Sequence, residues 1–566
     1  MTRGHHHRTP RFPRLAMAAS VALALAACGG GGGTSSTTTA QPVNGSVTVG
    51  VTDAPSTDFQ NVWVTISEID FHADPNAAPT DGAWLKYPLA APETVNLAAL
   101  NNGSFQDVFP NLQLPVGTYK QVRLVLVSDD AALTASASSQ GLAYNDQVDY
   151  LDATNTMQHA PLELVGPRQG IQVFGTFDVT SAAPLHLVFD FDLDDDVVSF
   201  PDELSGKPAF TLRPHTLRYF DMSNVGAITG QVDPSKLATS ATGNAATGAY
   251  NLIVKAEVVD STGSTHQIVR LTGADPTTGK FTLYPLPMGG QATRNFDVVI
   301  RGRQMDTIIV KGVPVTAGST PASGATAISN APIPVNNDTD YTMSIATSTP
   351  ASPTSTWVDF YQTLPLSGEL PYEIRFREVN PFTGLINAGF PLSAGNLWYA
   401  TYSSSGTLPT PQSATPNQGT GTFDMIGAAA QYVPSTAVSV SPAAATPNGP
   451  QLVLNSALAA ASGTITLNYT GTAGEYDNAQ FVVARYGDIV DTIPVPSTVL
   501  SSGTGTITMG NLPAGTTATP DTGAFYYGYL RVWNSTHAGT RVKVVPILNF
   551  ADFRTANAAT FSVTVP

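Results

Sequence analysis

From Val43 onward the chain alternates. Gly45-Ser46-Val47-Thr48-Val49-Gly50-Val51-Thr52 sets β-branched residues against small or polar ones at period two, which predicts a half-buried strand. After Asp53-Ala54-Pro55 a second strand runs from Val62 to His72, with Val62, Val64 and Ile66 on one face. More strands are predicted over 94–97, 121–126, 172–179 and 185–193. The same texture returns in Ile228-Thr229-Gly230-Gln231-Val232, in Gly463-Thr464-Ile465-Thr466-Leu467 and in the closing Thr560-Phe561-Ser562-Val563-Thr564-Val565. No long amphipathic helix competes, and 49 Gly and 43 Pro punctuate the short apolar runs. The fold class is therefore all-β, with tandem β-sandwich domains of Ig-like or prealbumin-like type, about three to four of them at this length.

The first 42 residues break the pattern. Arg3, Arg8, Arg11 and Arg14 precede an apolar run over 15–27 interrupted only by Ser20, which is the n-region and h-region of a signal peptide. That run is too short to span a hydrocarbon core of ~30 Å. It ends as Leu25-Ala26-Ala27-Cys28-Gly29, which resembles the lipobox of bacterial lipoproteins. The resemblance implies cleavage before Cys28, a diacylglycerol thioether and palmitate-type acylation on that residue, and, from Gly29 in place of Asp, sorting to the outer membrane on a face left open. Two or more acyl chains anchor stably where one binds only marginally. The Gly, Ser and Thr residues over 28–42 then read as a flexible tether. His5, His6 and His7 fall in the cleaved leader and are discounted as a metal site.

Specific motifs divide the remainder of the chain. The opening strand into Thr52-Asp53-Ala54-Pro55, Trp84-Leu85, Leu114-Pro115-Val116-Gly117-Thr118-Tyr119, Asp190-Phe191-Asp192 and Leu212-Arg213-Pro214 resemble the bacterial lipoprotein domain of unknown function numbered 4382, over 43–220. That family implies a β-sandwich and supplies no established catalytic residues. Over 225–330, the Gly-x-Val opening, a Gly turn before Phe281 and Leu286-Pro287-Met288-Gly289 resemble the carboxypeptidase regulatory-like, transthyretin-type sandwich. A β-rich region with Pro, Ser and Thr linkers is expected over 331–454, and a C-terminal β-sandwich over 455–566. Leu-Pro-x-Gly recurs at 114–117, 286–289 and 512–515, and reads as turn geometry, Pro fixing φ and Gly permitting positive φ.

Composition removes several function classes. Loss of the four leader arginines leaves 22 basic against 42 acidic residues, a formal charge of −20, so nucleic acid is an unsuitable partner. Cys28 is the single cysteine, which excludes a disulfide framework and a cysteine metal site.

Candidate chemistry is sparse. The densest feature is Asp190-Phe191-Asp192-Leu193-Asp194-Asp195-Asp196. An EF-hand loop begun at Asp190 needs Gly sixth and Glu twelfth, where the chain has Asp195 and Pro201. On one strand face, alternate carboxylates lie ~6.5 Å apart, wide for one ion unless the strand curls near Asp194. A solvated acidic face is favoured, and a Ca²⁺ site at Asp190, Asp192, Asp194, Asp195 and Asp196 stays open. Asp53 reads as a cap on its own turn backbone rather than a catalytic acid. The run Phe525-Tyr526-Tyr527-Gly528-Tyr529-Leu530 reads as sandwich core, with a sugar-stacking platform as the alternative. No nucleophile elbow, zinc-binding helix or phosphate loop is found. The histidines after the leader, His72, His159, His186, His215, His266 and His537, are scattered.

The expected function is that of a non-enzymatic, membrane-anchored envelope lipoprotein, a stalk and binding module for a glycan or an envelope protein, without a cofactor other than the open Ca²⁺ site. The alternatives are a calcium-dependent adhesin and a hydrolase with a discontinuous site.

Overall fold

The structure is a computed structural model that describes residues 43–566, except 55–58, 129–130, 153, 167–169, 214–216, 238–251, 303–304, 337–339, 344–345, 349–355, 379–389, 394–395, 415–421, 430–434, 441–450, 454–461, 486–487, 514–524, 537–541 and 555. Cys28, the leader and the tether therefore lie outside the described residues. Among the described residues no helix is long and apolar enough to cross a membrane.

The first unit contains β1 (Asn44–Ala54), β2 (Asn61–His72), β3 (Leu85–Asn96), β4 (Gln106–Pro115), β5 (Gly117–Leu126), β6 (Gln147–Leu151), β7 (Met157–Leu164), β8 (Ile171–Val179), β9 (Leu185–Asp192), β10 (Val197–Pro201), β11 (Pro208–Leu212) and β12 (Arg218–Asp221). One sheet runs β12-β9-β1-β4, with β1 and β9 parallel. In the facing sheet the long β2 pairs with β3, β5 and β6, and β7, β11 and β10 extend it beyond β6. Val47, Val49 and Val51 point into the core between them, as the period-two pattern predicts. Along β2, Val62, Val64 and Ile66 are buried, and a bulge between Ile66 and Glu68 then shifts the phase, so that Ile69 and Phe71 face inward. Asp70 and His72 consequently project from the other face.

The second unit contains β13 (Val225–Gln231), β14 (Leu252–Val259), β15 (His266–Gly273), β16 (Lys280–Pro287), β17 (Thr293–Gly302) and β18 (Thr307–Thr316). A six-stranded sheet, β15-β14-β17-β18 continued by Leu397–Thr401 and Gln412–Ser413, faces a smaller sheet built on β13 and β16. Its second face is also covered. Val298, Ile300, Ile308 and Val310 pack toward β13 and β16, whereas Val299 and Ile309 pack on Phe360, Tyr372, Ile374, Phe423 and Met425 of a further sheet. Continuous apolar runs in β17 and β18 are what a strand buried on both faces requires. Leu397–Thr401 pairs in parallel with β18, so strands of the region after residue 330 complete this sheet and form a third layer on it. Tyr372 donates to Asp297 at 2.7 Å, His266 stacks on the Tyr372 ring with centroids 3.9 Å apart, and Lys311 pairs with Glu369, all across that layer boundary.

The C-terminal unit is a sandwich of the sheet Thr504–Pro513, Ser462–Gly471, Ala558–Val565 against the sheet Asp488–Pro494, Asn478–Arg485, Phe525–Trp533, Lys543–Asp552. The Leu-Pro-x-Gly expectation holds in part. Gly289 takes φ 60°, but Gly117 does not enter the left-handed region, and Gly515 lies outside the described residues.

Candidate functional site: charged seams between the units

Buried charged side chains join the first unit to the other units at two seams. At the seam with the second unit, Arg270 on β15 is wholly buried and reaches across to the end of β1. It pairs with the Asp190 carboxylate and donates to Thr52 Oγ1 at 3.1 Å, to the Asp53 carbonyl at 3.2 Å and to the Tyr284 carbonyl at 3.1 Å. Arg218 donates to the other Asp190 oxygen at 3.0 Å. Asp190 is thus held between two guanidinium groups, one from each unit. Beside it Asn102, at φ 54°, accepts from Thr272 Oγ1 and from the Thr282 backbone N–H, both at 3.2 Å.

Two sequence readings are corrected at this seam. The acidic run is not a solvated face: β9 is buried on both sides, with Asp190 1% exposed, and the chain curls into a helical turn at Leu193–Asp196. Nor do the proposed Ca²⁺ ligands form a ligand set. Asp190 is taken by two arginines, Asp196 accepts from the Asp192 backbone N–H at 3.0 Å, and Asp195 faces the buried Lys255; the Asp194 side chain is outside the described residues. Among the described residues, no three carboxylates or histidines are grouped so as to hold a metal ion. The turn that Asp53 is expected to cap, 55–58, lies outside the described residues. Asp53 Oδ1 accepts from the Leu193 backbone N–H at 3.3 Å, while Oδ2 has no partner among the described residues. Burial, then the charges of Asp192 and Asp190, push its carboxyl well above the usual range, against the opposing pull of Arg270.

The seam with the C-terminal unit repeats the device. Arg531, fully buried, donates to Glu163 at 3.1 Å, to Glu203 Oε2 at 3.1 Å and to Gln480 at 3.0 Å, and its guanidinium stands 4.9 Å from the Phe200 ring centroid. Burial pushes the Glu163 carboxyl up, with Arg531 opposing. Around this pair Val165 packs with Val482, Ala484, Ile489, Tyr527, Tyr529 and Val544. The Tyr527 ring packs against Gly166, where a Cβ would come within 2.1 Å of it. The run from Phe525 to Leu530 is buried on both faces, one in its own sandwich core and the other against the first unit, so it is not a sugar platform. Arg554 adds a bond to the Asn76 carbonyl at 2.9 Å.

The described histidines do not converge. His72, His159, His186 and His266 face Asp81, Asp149, Asp107 and Asp297 respectively, at 3.8, 2.7, 2.8 and 3.5 Å; His215 and His537 lie outside the described residues. Sequence reasoning missed Arg270, Arg531, Glu163, Glu203 and Lys255. The available signal was a cation set in an apolar strand, Val269-Arg270-Leu271 and Leu530-Arg531-Val532, in a chain with only 26 Lys and Arg.

Comparison with known proteins adds one domain. Residues 44–214 match the domain of unknown function DUF4382. No curated protein matches the chain. Among solved structures, the shaft pilin SpaA from Lactobacillus rhamnosus GG is similar at 9% identity and a TM-score of 0.17, covering 40% of this chain and 98% of the pilin. The minor pilin GBS52 of Streptococcus agalactiae is similar at 10% identity and a TM-score of 0.13, covering 40% and 97%. Likenesses this slight carry no inference about assembly. The chain is a multi-domain β-sandwich protein whose first unit, at residues 44–214, carries a DUF4382 domain.

Proposed function

We propose that this is a lipid-anchored cell-envelope protein, acylated at Cys28, that works as a non-catalytic structural or binding module in the outer membrane. The observation that carries the reading is the pair of seams. Buried arginines draw the second and C-terminal units onto the DUF4382 unit, so polar side chains that could line a cleft are spent on holding one body together. The lipobox-like segment supplies the address, and the second unit, read as a carboxypeptidase regulatory-like sandwich, supplies surface rather than chemistry. The test is expression of the full chain in a Gram-negative host. Acylated Cys28 detected by mass spectrometry, with fractionation to the outer membrane that is lost in Cys28→Ser, is the expected result. Release of the unchanged protein into the soluble fraction would overturn the anchor, and hydrolysis in a broad substrate panel would overturn the non-catalytic role.

A further inference from the structure

On the outer face of the first sandwich, one buried carboxylate organises four side chains. β6 lies between β2 and β7, and Val62, Val148, Tyr150 and Ala160 on these strands face the core. The alternate positions face outward. The register sets Asn61 and His159 beside Asp149, one strand away on either side, with Trp63 and Gln147 as the next outward pair. Asp149 is 5% exposed, and both of its oxygens are in use. Oδ2 accepts from Asn61 at 2.9 Å and from Trp63 Nε1 at 3.1 Å. Oδ1 accepts from Gln147 and from His159 Nδ1, each at 2.7 Å. Burial pushes the carboxyl up, and the four donors together hold it below the usual carboxylate range. Asn61 is fixed in turn by Asn96, which donates to it at 2.8 Å.

A ring N–H lies in the plane of its ring, so each of these bonds sets a ring edge-on to the carboxylate and fixes its orientation. Trp63, half-buried, has its one polar atom spent on Asp149 and presents the face of a rigid indole. His159, 54% exposed, donates through Nδ1, because an ionised carboxylate only accepts, and its Nε2 is left as an acceptor. Both rings are ordered before any ligand arrives, so binding loses little side-chain freedom. They stand on strands two spacings apart, ~10 Å, a span that two linked pyranose rings cover. Charge narrows the ligand further. The outward positions Asn61, Trp63, Gln147, Leu151, Met157 and Pro161 include no Lys or Arg, so an anion meets no counter-charge and is repelled by Asp152 in the turn between β6 and β7. A cation finds the Asp149 oxygens already taken. Between the rings runs β6, its backbone paired to β2 and β7, so no strand edge is open there to an extended peptide. An aromatic face beside a neutral acceptor matches a sugar, whose C–H face is apolar and whose rim is hydroxyl.

We propose that Trp63 and His159, oriented by Asp149, form a binding surface for a neutral saccharide, with one sugar ring lying on the indole and a hydroxyl donating to His159 Nε2. The proposal rests on the binding role put forward above and is independent of the anchor. The full-length protein, in a detergent without a sugar headgroup, is titrated by saturation-transfer NMR and calorimetry. The probes are hexasaccharides of glucose, N-acetylglucosamine, mannose and galactose, with an oligogalacturonate hexamer as the anionic one. The expected result is binding of at least one neutral hexasaccharide and none of the oligogalacturonate. Trp63→Ala should weaken that binding roughly tenfold, since the stacking face is lost. His159→Ala should weaken it roughly threefold, the loss of one neutral hydrogen bond. His159 is exposed, so its effect is readable even where Trp63→Ala lowers the melting temperature, and Trp398→Phe in the second unit should change nothing. No neutral hexasaccharide bound, equal binding of the oligogalacturonate, or an affinity indifferent to both changes overturns the surface and leaves the anchor and the non-catalytic reading standing. Shortening of a bound hexasaccharide supports the surface and overturns the non-catalytic reading.

Discussion

At the scale of single residues, each seam depends on a charge taken out of water with its partner. Replacing Arg531 by Met leaves Glu163 and Glu203 facing each other without the cation that both use. Breaking such a buried pair costs about 3–5 kcal/mol, and chemical denaturation of Arg531→Met should show a loss of that order. Arg531→Lys should recover only part, since one ammonium cannot serve two carboxylates in the planar, forked geometry of a guanidinium. Asp53 makes a prediction in pH. Its carboxyl is raised in the folded protein, so the stability it contributes is complete below the unfolded value of about 4 and is lost as pH rises through the folded value. Asp53→Asn keeps the shape without the titration. Its melting temperature relative to wild type should therefore climb as pH is raised from about 4, and a difference independent of pH would contradict the raised carboxyl.

At the scale of elements, legibility followed the range of the interaction. β1 was readable because Val47, Val49 and Val51 alternate within one strand and each meets the core alone. In β2 the sequence showed Val62, Val64 and Ile66 but not the bulge after Ile66, because a phase shift is set by pairing with β3 and β5, which no local pattern records. The apolar run Val298-Val299-Ile300 did announce burial on both faces, though not that the cover would come from the strands after residue 330. The acidic run of β9 was legible as a cluster and misread as solvated, since its neutralising partner Arg270 lies 80 residues on. Gly166 gives a test at this scale. It takes φ 70° and lets the Tyr527 ring pack against bare backbone. Gly166→Ala adds about 1–2 kcal/mol of left-handed strain and a side-chain clash. The C-terminal unit should loosen from the first while both keep their own cores, which limited proteolysis would read as faster cleavage between intact units.

At the scale of the whole molecule, the seams decide between two shapes that the order of domains along the chain leaves equally open. Sandwiches joined by Pro, Ser and Thr linkers make a string, and a string is the expectation when inter-domain surfaces are small and polar. Here the C-terminal unit folds back over more than 300 residues of chain to reach the first, and the second unit docks on the same sandwich. The DUF4382 unit is therefore a hub with two clients. A globule of this length has a radius of gyration of roughly 24 Å, and units hanging from linkers would exceed it severalfold in spread along one axis. Small-angle scattering on the chain without its leader and tether should give a value near the compact figure, unchanged by moderate salt, because buried pairs are screened little. Combining Arg531→Met with Gly166→Ala should raise the radius and leave the circular dichroism of the strands intact, because the two changes release a seam rather than a core. An extended wild-type particle would instead mean that the buried arginines do not hold the units together in solution, and the structural role argued from them would fall with it.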